Sequence, residues 1–140
     1  MFRWRFIVLS ILFTVFLFGA QIGKRFFSQV VCNTGIGFGI GGGVWLIALW
    51  VVFVSALGFF VVRELQEERA SRFVYLVPVG GGFLLGGAIS NLLDRLVYGC
   101  VADYFQPFLW FPAFNIADIG VSMGAGLLVL YLFFTEATDK

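Results

Sequence analysis

Residues Gly86 to Asp118 read GGAISNLLDRLVYGCVADYFQPFLWFPAFNIAD, and the interpretation of the whole chain depends on them. The stretch contains Asp103 and Asp118, two carboxylates that lie among apolar residues near the ends of predicted transmembrane segments. An ionisable side chain beside hydrocarbon is costly unless it is paired or solvated, so such a residue marks a candidate functional site. Because two of them occur here, we place the candidate site in this stretch.

Polar side chains recur around these two carboxylates at helical spacing. Gly87, Asn91 and Arg95 are four residues apart, which puts them on one face of a predicted helix. Asn115 and Asp118 are three residues apart and share a face of the next predicted helix. The pattern predicts that polar groups from different segments converge at one boundary of the membrane.

Composition places the chain in the membrane class. Its 140 residues are 61% hydrophobic and 12% charged, and the mean hydropathy is +1.00, values that argue against a soluble domain. The net charge of +1 comes without a basic stripe that could neutralise phosphates, so we expect no nucleic-acid partner. Histidine is absent and there are two cysteines, so we expect no metal site and no cofactor.

Four predominantly apolar runs predict four transmembrane helices, each near the roughly 20 residues that cross the hydrocarbon. They cover residues 6–23, 44–62, 73–98 and 114–134. The first run could also be a secretory signal peptide, but it is longer than the usual apolar core and no small-x-small cleavage motif precedes Lys24. We therefore expect an all-α polytopic membrane protein, with residues 1–140 forming a single membrane domain that carries a small extracytoplasmic loop or β segment and an interfacial turn.

The connecting segments have their own signals. The glycine-rich stretch after Lys24 and Arg25 predicts a looped or extended surface segment. Residues 63–72, RELQEERASR, predict a solvated turn between two hairpinned helices. Residues 99–112 are rich in aromatic side chains, and Pro107 argues against one long helix, so we expect an interfacial loop with an amphipathic turn.

Small residues predict where helices bend or approach one another. Pro78 and the glycines that follow it predict a kink in the third helix. Gly82 and Gly86 in the third helix, and Gly120 and Gly124 in the fourth, have the four-residue spacing of small residues at close helix contacts.

Four spans put both termini on the same side of the membrane, and the basic residues indicate which side that is. Six basic residues fall on the side of the termini and three on the other, which predicts cytoplasmic termini and a candidate site that faces outward. The two sets are Arg3, Arg5, Arg63, Arg69, Arg72 and Lys140 on the first side, and Lys24, Arg25 and Arg95 on the second.

The sequence resembles the lipoprotein signal peptidases, also called signal peptidase II, which are bacterial membrane aspartyl proteases. The resemblance covers nearly the whole chain, and its later three motifs occur in order at the expected separations. The motifs are N-x-G-x-x-F at Asn33, Gly35 and Phe38, G-G-A-x-x-N-x-x-D-R from Gly86 to Arg95, G-x-V-x-D from Gly99 to Asp103, and F-N-x-A-D from Phe114 to Asp118.

The resemblance implies an aspartic endopeptidase of the bacterial cytoplasmic (inner) membrane, with Asp103 and Asp118 as its catalytic dyad. It implies a diacylglyceryl-modified prolipoprotein as the substrate, in contact with membrane lipid. The residues that it implies line or support the site are Asn33, Asn91, Arg95, Asn115 and Lys24.

The chain departs from the family pattern at two positions. The family usually has Asp-Gln-x-x-Lys at the end of its first helix, whereas this chain has Ala20 in place of the aspartate, so that only Gln21 and Lys24 match. The residue after the second dyad aspartate is commonly Ser in the family and is Ile119 here. Neither departure removes a dyad carboxylate.

The chemistry of such a dyad follows from the carboxylates themselves. Two carboxyl groups close together in a poorly solvated place share one proton, so that one acts as a base toward water and the other as an acid toward a carbonyl. Asp118, in the predicted first turn of a helix, is favoured as the ionised member. The alternatives are a small transporter or channel subunit, in which Asp103, Asp118 and Arg95 form a proton or ion relay, and a purely structural membrane subunit.

Cys32 and Cys100 have no role in the resemblance. Both fall on the predicted outer side, where a disulfide could tie the Asn33 loop to the Asp103 loop. We favour two free, semi-buried thiols that act as small apolar residues, because strand pairing between these segments is conjectural from sequence.

Overall fold

The computed structural model describes residues 3–27, 30–35, 44–67 and 73–138. Four helices dominate this part of the chain, and all four are long and apolar enough to cross a membrane. The expectation of an all-α membrane fold with a small β segment is confirmed. The elements are α1 (Arg3–Gly23), β1 (Val31–Asn33), α2 (Val44–Gln66), α3 (Leu76–Tyr98), β2 (Val101–Asp103) and α4 (Ile116–Thr138).

Helix α3 is the centre of the bundle and packs against the other three helices. Most residues of α3 are buried, whereas few residues of α1 and α2 are, as expected for helices that face lipid. An apolar core lies at the end of the bundle that holds the termini, where Val61, Leu65, Val77 and Tyr131 are fully buried. The buried polar residues of α3, which are Ser90, Asn91, Asp94 and Arg95, are concentrated at its opposite end.

Glycines allow the close helix contacts, with partners that the sequence could not specify. A Cβ on Gly82 would lie 2.7 Å from the Cβ of Leu12, so the Gly82 and Gly86 face of α3 accommodates α1. A Cβ on Gly124 would lie 2.5 Å from the carbonyl oxygen of Gly80, so Gly124 is the point where α4 meets α3. Small residues at these positions let backbones approach, which drives helix association in lipid.

Five helix boundaries differ from the prediction. Helix α1 begins at Arg3 instead of residue 6, and α4 ends at Thr138 instead of residue 134. The other three differ for local reasons. Helix α2 continues to Gln66, because charged residues can extend a helix once it leaves the hydrocarbon. Helix α3 begins at Leu76, so Pro78 lies in its first turn. Residues in the first turn donate no hydrogen bond within the helix, so a proline there gives no reason for a kink. Helix α4 begins at Ile116, because Phe114 exchanges two backbone hydrogen bonds of 2.9 Å with Phe105 and is held extended.

The two strands form an antiparallel pair in which Val31 faces Asp103 and Asn33 faces Val101. Gly99, with a φ of +75°, ends α3 and turns the chain into β2. The expectation of free thiols is wrong, because the strand pairing brings the Cα atoms of Cys32 and Cys100 to 5.4 Å and the two residues form a disulfide.

Some sequence predictions fall outside the described residues. They include Phe38 of the first motif, most of the glycine-rich segment (36–43) and three of the basic residues used for orientation, which are Arg69, Arg72 and Lys140.

Candidate active site

Asp103 is the last residue of β2, and only 1% of its surface is exposed. Its Oδ2 accepts a hydrogen bond from Asn33 Nδ2 at 3.0 Å, and its Oδ1 accepts one from Asn115 Nδ2 at 2.7 Å. Burial raises the pKa of Asp103 above its ordinary value of 3.8, with the charge of Asp118 acting in the same direction, although the two amide donors oppose the rise.

Asp118 is the third residue of α4, and its carboxylate belongs to a reciprocal helix cap. Asn115 Oδ1 accepts from the N–H of Ala117 at 2.7 Å, while Asp118 Oδ2 accepts from the N–H of Asn115 at 2.9 Å, which is the arrangement of a capping box. The three-residue spacing predicted that Asn115 and Asp118 share one face of a helix. That prediction is wrong, because Asn115 is the residue before the helix and caps it. Asp118 Oδ1 accepts from Asn91 Nδ2 at 2.7 Å, which ties the cap to α3.

Asn115 connects the two carboxylates. Its side-chain amide donates to Asp103, its backbone N–H donates to Asp118, and its Nδ2 also lies 3.2 Å from Asn91 Oδ1. The residue is fully buried, so water does not compete for these bonds. A single residue thus fixes the relative placement of β2, α3 and the first turn of α4.

Both carboxylates border one cavity of about 360 Å³ at the polar end of the bundle. Its lining brings together five of the seven residues named from the sequence, whereas Asn115 and Lys24 lie outside it. The lining residues are Asn33, Trp50, Asn91, Arg95, Val101, Asp103, Pro112, Ala113, Phe114, Asp118, Val121 and Ser122.

Arg95 supports one wall of this cavity. Its Nη2 donates to the carbonyl oxygen of Gly35 at 2.8 Å, and its Nη1 donates to the carbonyl oxygen of Asn91 at 3.3 Å. The guanidinium also lies 5.1 Å from the ring centre of Trp50, within the range of a cation–π contact. Arg95 thus links the segment after β1 and helix α2 to helix α3.

Lys24 lies behind the cavity wall and supports the site indirectly. Its Nζ is 2.8 Å from Asp94 Oδ2 and donates to Ser90 Oγ at 3.2 Å and to Asn91 Oδ1 at 3.3 Å. The side-chain oxygen of Asn91 accepts from both Lys24 and Asn115, so the side-chain nitrogen of Asn91 points toward Asp118.

Sequence reasoning assigned no chemistry to a buried polar network that surrounds Lys24. Asp94 Oδ2 accepts from the N–H of Ala102 at 3.1 Å, one residue before Asp103. Gln21 Nε2 donates to Asp94 Oδ1 at 3.0 Å and to Ser90 Oγ at 3.0 Å. The available signal was the spacing of Ser90 and Asp94, four apart on α3, opposite Gln21 and Lys24 on α1. The network fixes both the strand that carries Asp103 and the helix face that carries Asn91.

The aromatic segment after β2 forms an exposed turn at the edge of the site. Leu109 is 98% exposed and Trp110 is 79% exposed, with the rings of Phe108 and Trp110 stacked at 5.3 Å. Apolar side chains in such a turn are suited to the membrane interface. A second cavity of about 390 Å³ lies between this turn and β1, and it shares Asn33 and Asp103 with the first.

Comparisons with known proteins agree with the fold and with the motifs. The family model described as "Signal peptidase (SPase) II" matches residues 5–134. The lipoprotein signal peptidase of Symbiobacterium thermophilum is 40% identical over 122 residues, which are 83% of this chain and 76% of that protein. The lipoprotein signal peptidase of Halothermothrix orenii is 39% identical over 108 residues, 76% of this chain and 69% of that protein. A solved bacterial membrane enzyme superposes with a TM-score of 0.75 at 19% identity, covering 94% of this chain and 91% of that one.

Proposed function

We propose that Asp103 and Asp118 form the catalytic pair of this chain. The chain belongs to the signal peptidase (SPase) II family of membrane aspartic peptidases, which remove signal peptides from prolipoproteins. The observation that carries the proposal is the bridge through Asn115, which hydrogen-bonds the two carboxyl groups at 2.7 and 2.9 Å. The bridge holds carboxyl groups from two separate segments against one cavity, as a two-carboxylate mechanism requires.

The two aspartates have different environments, which suit different roles. Asp118 lies in the first turn of α4, where the helix dipole favours negative charge. Burial raises the pKa of Asp103 and so favours its protonated form. We assign Asp118 as the base and Asp103 as the acid, with one proton held between them.

Hydrolysis then proceeds with the protons balanced. Asp118 takes a proton from water while the water oxygen attacks the scissile carbonyl carbon, and Asp103 gives its proton to the carbonyl oxygen. The tetrahedral diol collapses, the C–N bond breaks, the leaving nitrogen takes the proton from Asp118, and a diol hydroxyl returns a proton to Asp103. Both aspartates regain their starting states, and no covalent intermediate forms with the enzyme.

The position of the cavity supports the substrate class that membership of the family implies. Trp50 of α2 and Val121 and Ser122 of α4 line part of the cavity. Two transmembrane helices therefore border it. An apolar signal helix would pack there, and the diacylglyceryl chains of the modified cysteine would stay in the adjoining lipid. We therefore propose a diacylglyceryl-modified prolipoprotein as the substrate.

The protein is a multi-pass membrane protein, and we propose cytoplasmic termini with the site facing outward from the bacterial cytoplasmic membrane. The excess of basic residues on the side of the termini supports this orientation. The disulfide between Cys32 and Cys100 gives independent support, because disulfides persist in oxidising compartments, and this one lies beside Asn33 at the site.

The proposal is tested with Asp103→Asn and Asp118→Asn, each purified in detergent and incubated with a lipidated prolipoprotein. Each amide keeps the shape of the carboxyl group but cannot cycle a proton. We therefore expect each variant protein to reach the wild-type level in the membrane but to release no signal peptide. Glu67→Gln is the matched control, since this acid lies at the opposite end of the bundle and its removal should leave cleavage unchanged. Near-normal cleavage by either aspartate variant would refute the assignment.

A further inference from the structure

The hydroxyl group of Tyr104 contacts the start of α4. Tyr104 directly follows Asp103, and its Oη accepts a hydrogen bond from the N–H of Ile116, the first residue of α4, at 3.2 Å. The first N–H groups of a helix have no partner within the helix and need an acceptor from elsewhere. Tyr104 therefore supplies a cap from a different segment of the chain.

Asn115 cannot supply this cap without releasing others. Its Oδ1 already accepts from the N–H groups of Ala117 and Asp118, at 2.7 and 3.3 Å. Its Nδ2 donates to Asp103. If Asn115 rotated to serve Ile116, it would leave one of these partners, so the Tyr104 hydroxyl preserves the bridge between the two carboxylates.

Packing fixes the direction of the Tyr104 hydroxyl. The ring stacks on Phe27, which follows α1, with centroids 4.2 Å apart and an angle of 10° between the planes. A Cβ on Gly23 would lie 3.3 Å from the hydroxyl oxygen, so the end of α1 confines the hydroxyl as well. Burial raises the pKa of Tyr104 above its ordinary value of 10.0, so the hydroxyl group is neutral and accepts through an oxygen lone pair.

We infer that Tyr104 is a positioning residue for the two aspartates, because its hydroxyl holds the first turn of α4, and with it Asp118, in register with the strand that ends at Asp103. In this role Tyr104 acts through Ile116 and Asn115. The inference rests on the proposed function for its effect on cleavage, and on the structure alone for its effect on the α4 terminus.

The test is Tyr104→Phe, which removes one oxygen and keeps the ring that stacks on Phe27. We expect kcat to fall about five-fold, as for loss of one helix cap, with KM within about two-fold. Hydrogen exchange measured by mass spectrometry should increase in the peptide covering residues 114–119. Tyr98→Phe is the matched control, because Tyr98 is 71% exposed and the same deletion there should change neither quantity.

A second variant separates positioning from folding. Phe27→Leu weakens the support of the Tyr104 ring, so it should lower kcat in the wild-type background and change it little in the Tyr104→Phe background. An unchanged kcat or unchanged exchange in Tyr104→Phe, or additive losses in the double variant, would overturn the inference. If the wild-type protein cleaves no prolipoprotein, the proposed function fails, and the exchange comparison still decides whether Tyr104 holds the α4 terminus.

Discussion

A methyl group added at Gly87 should disable the site from outside the cavity. In Gly87→Ala, the new Cβ would collide with the carbonyl oxygen of Ala117 and would lie 3.1 Å from both the backbone nitrogen and a side-chain methyl of Val121. The first of these partners is backbone, so a side-chain rotation cannot relieve the contact. Helix α4 has to move away from α3 at the residue next to Asp118.

Two magnitudes follow from this displacement. Forcing one methyl into a close-packed contact typically costs about 1–3 kcal/mol of stability. The hydrogen bond from Asn91 to Asp118 is 2.7 Å long and starts one helical turn from Gly87, so separation of the helices stretches it directly. A misplacement approaching about 1 Å can cost about 100-fold in rate, so we expect kcat/KM to fall by 10- to 100-fold.

The assay compares Gly87→Ala with Gly126→Ala, since both replace a glycine in the α3 and α4 pair with the same residue. A Cβ at Gly126 meets nothing within 4 Å, so this control should cleave normally and melt at or slightly above the wild-type temperature. Thermal unfolding in detergent and kcat/KM on a lipidated prolipoprotein are measured on the same preparations. Wild-type cleavage and melting in Gly87→Ala would show that the helices do not touch as described.

Three further predictions concern the disulfide, the pH profile and the buried lysine. Replacing both Cys32 and Cys100 with Ser should lower the melting temperature. The loss in unfolding free energy should be smaller than the roughly 4 kcal/mol that the chain-entropy model gives for such a loop, because the bilayer already confines the helices. Alkylation of both wild-type cysteines without reductant would contradict the disulfide. Cleavage should follow a bell against pH whose alkaline limb lies above the usual carboxyl range, because burial raises the pKa of Asp103 and its proton is lost only at higher pH; a flat profile from a folded enzyme would contradict the shared proton. Lys24→Met should destabilise the protein by about 3–5 kcal/mol, because it leaves a buried carboxylate without its cation, whereas Arg25→Met, an exposed position nearby, should not; equal melting temperatures would refute this.

Hydropathy predicted the transmembrane fold because lipid demands long apolar helices, but it could not locate the helix ends. At Phe114 the boundary depends on a backbone pairing with Phe105, and that pairing requires the turn between them to be folded. The disulfide has the same origin. Only the register of β1 against β2 brings Cys32 to Cys100, and three-residue strands leave little trace in a sequence.

The candidate site was partly predictable for a similar reason. Helical spacing and family motifs indicated Asn91, Asp103 and Asp118, because residues close in sequence carry those signals. The network of Gln21 and Asp94 joins positions 73 residues apart, so its pairing appears only once α1 packs on α3. The capping role of Tyr104 could not be predicted either, because it lies in a segment rich in aromatic residues. A tyrosine that caps a helix and one that lies at the membrane interface look the same in a sequence.

The bridge through Asn115 has a consequence for the order of biogenesis. A chain that emerges from its amino terminus inserts α1, α2 and α3 before it can insert α4, and Asn115 with Asp118 belongs to the last of these segments. Until that segment enters, Asn91 and Asp103 are present without the residue that joins them. A nascent chain at this stage has one carboxylate of the proposed pair, so the proposed assignment predicts that proteolytic activity begins only after α4 has inserted.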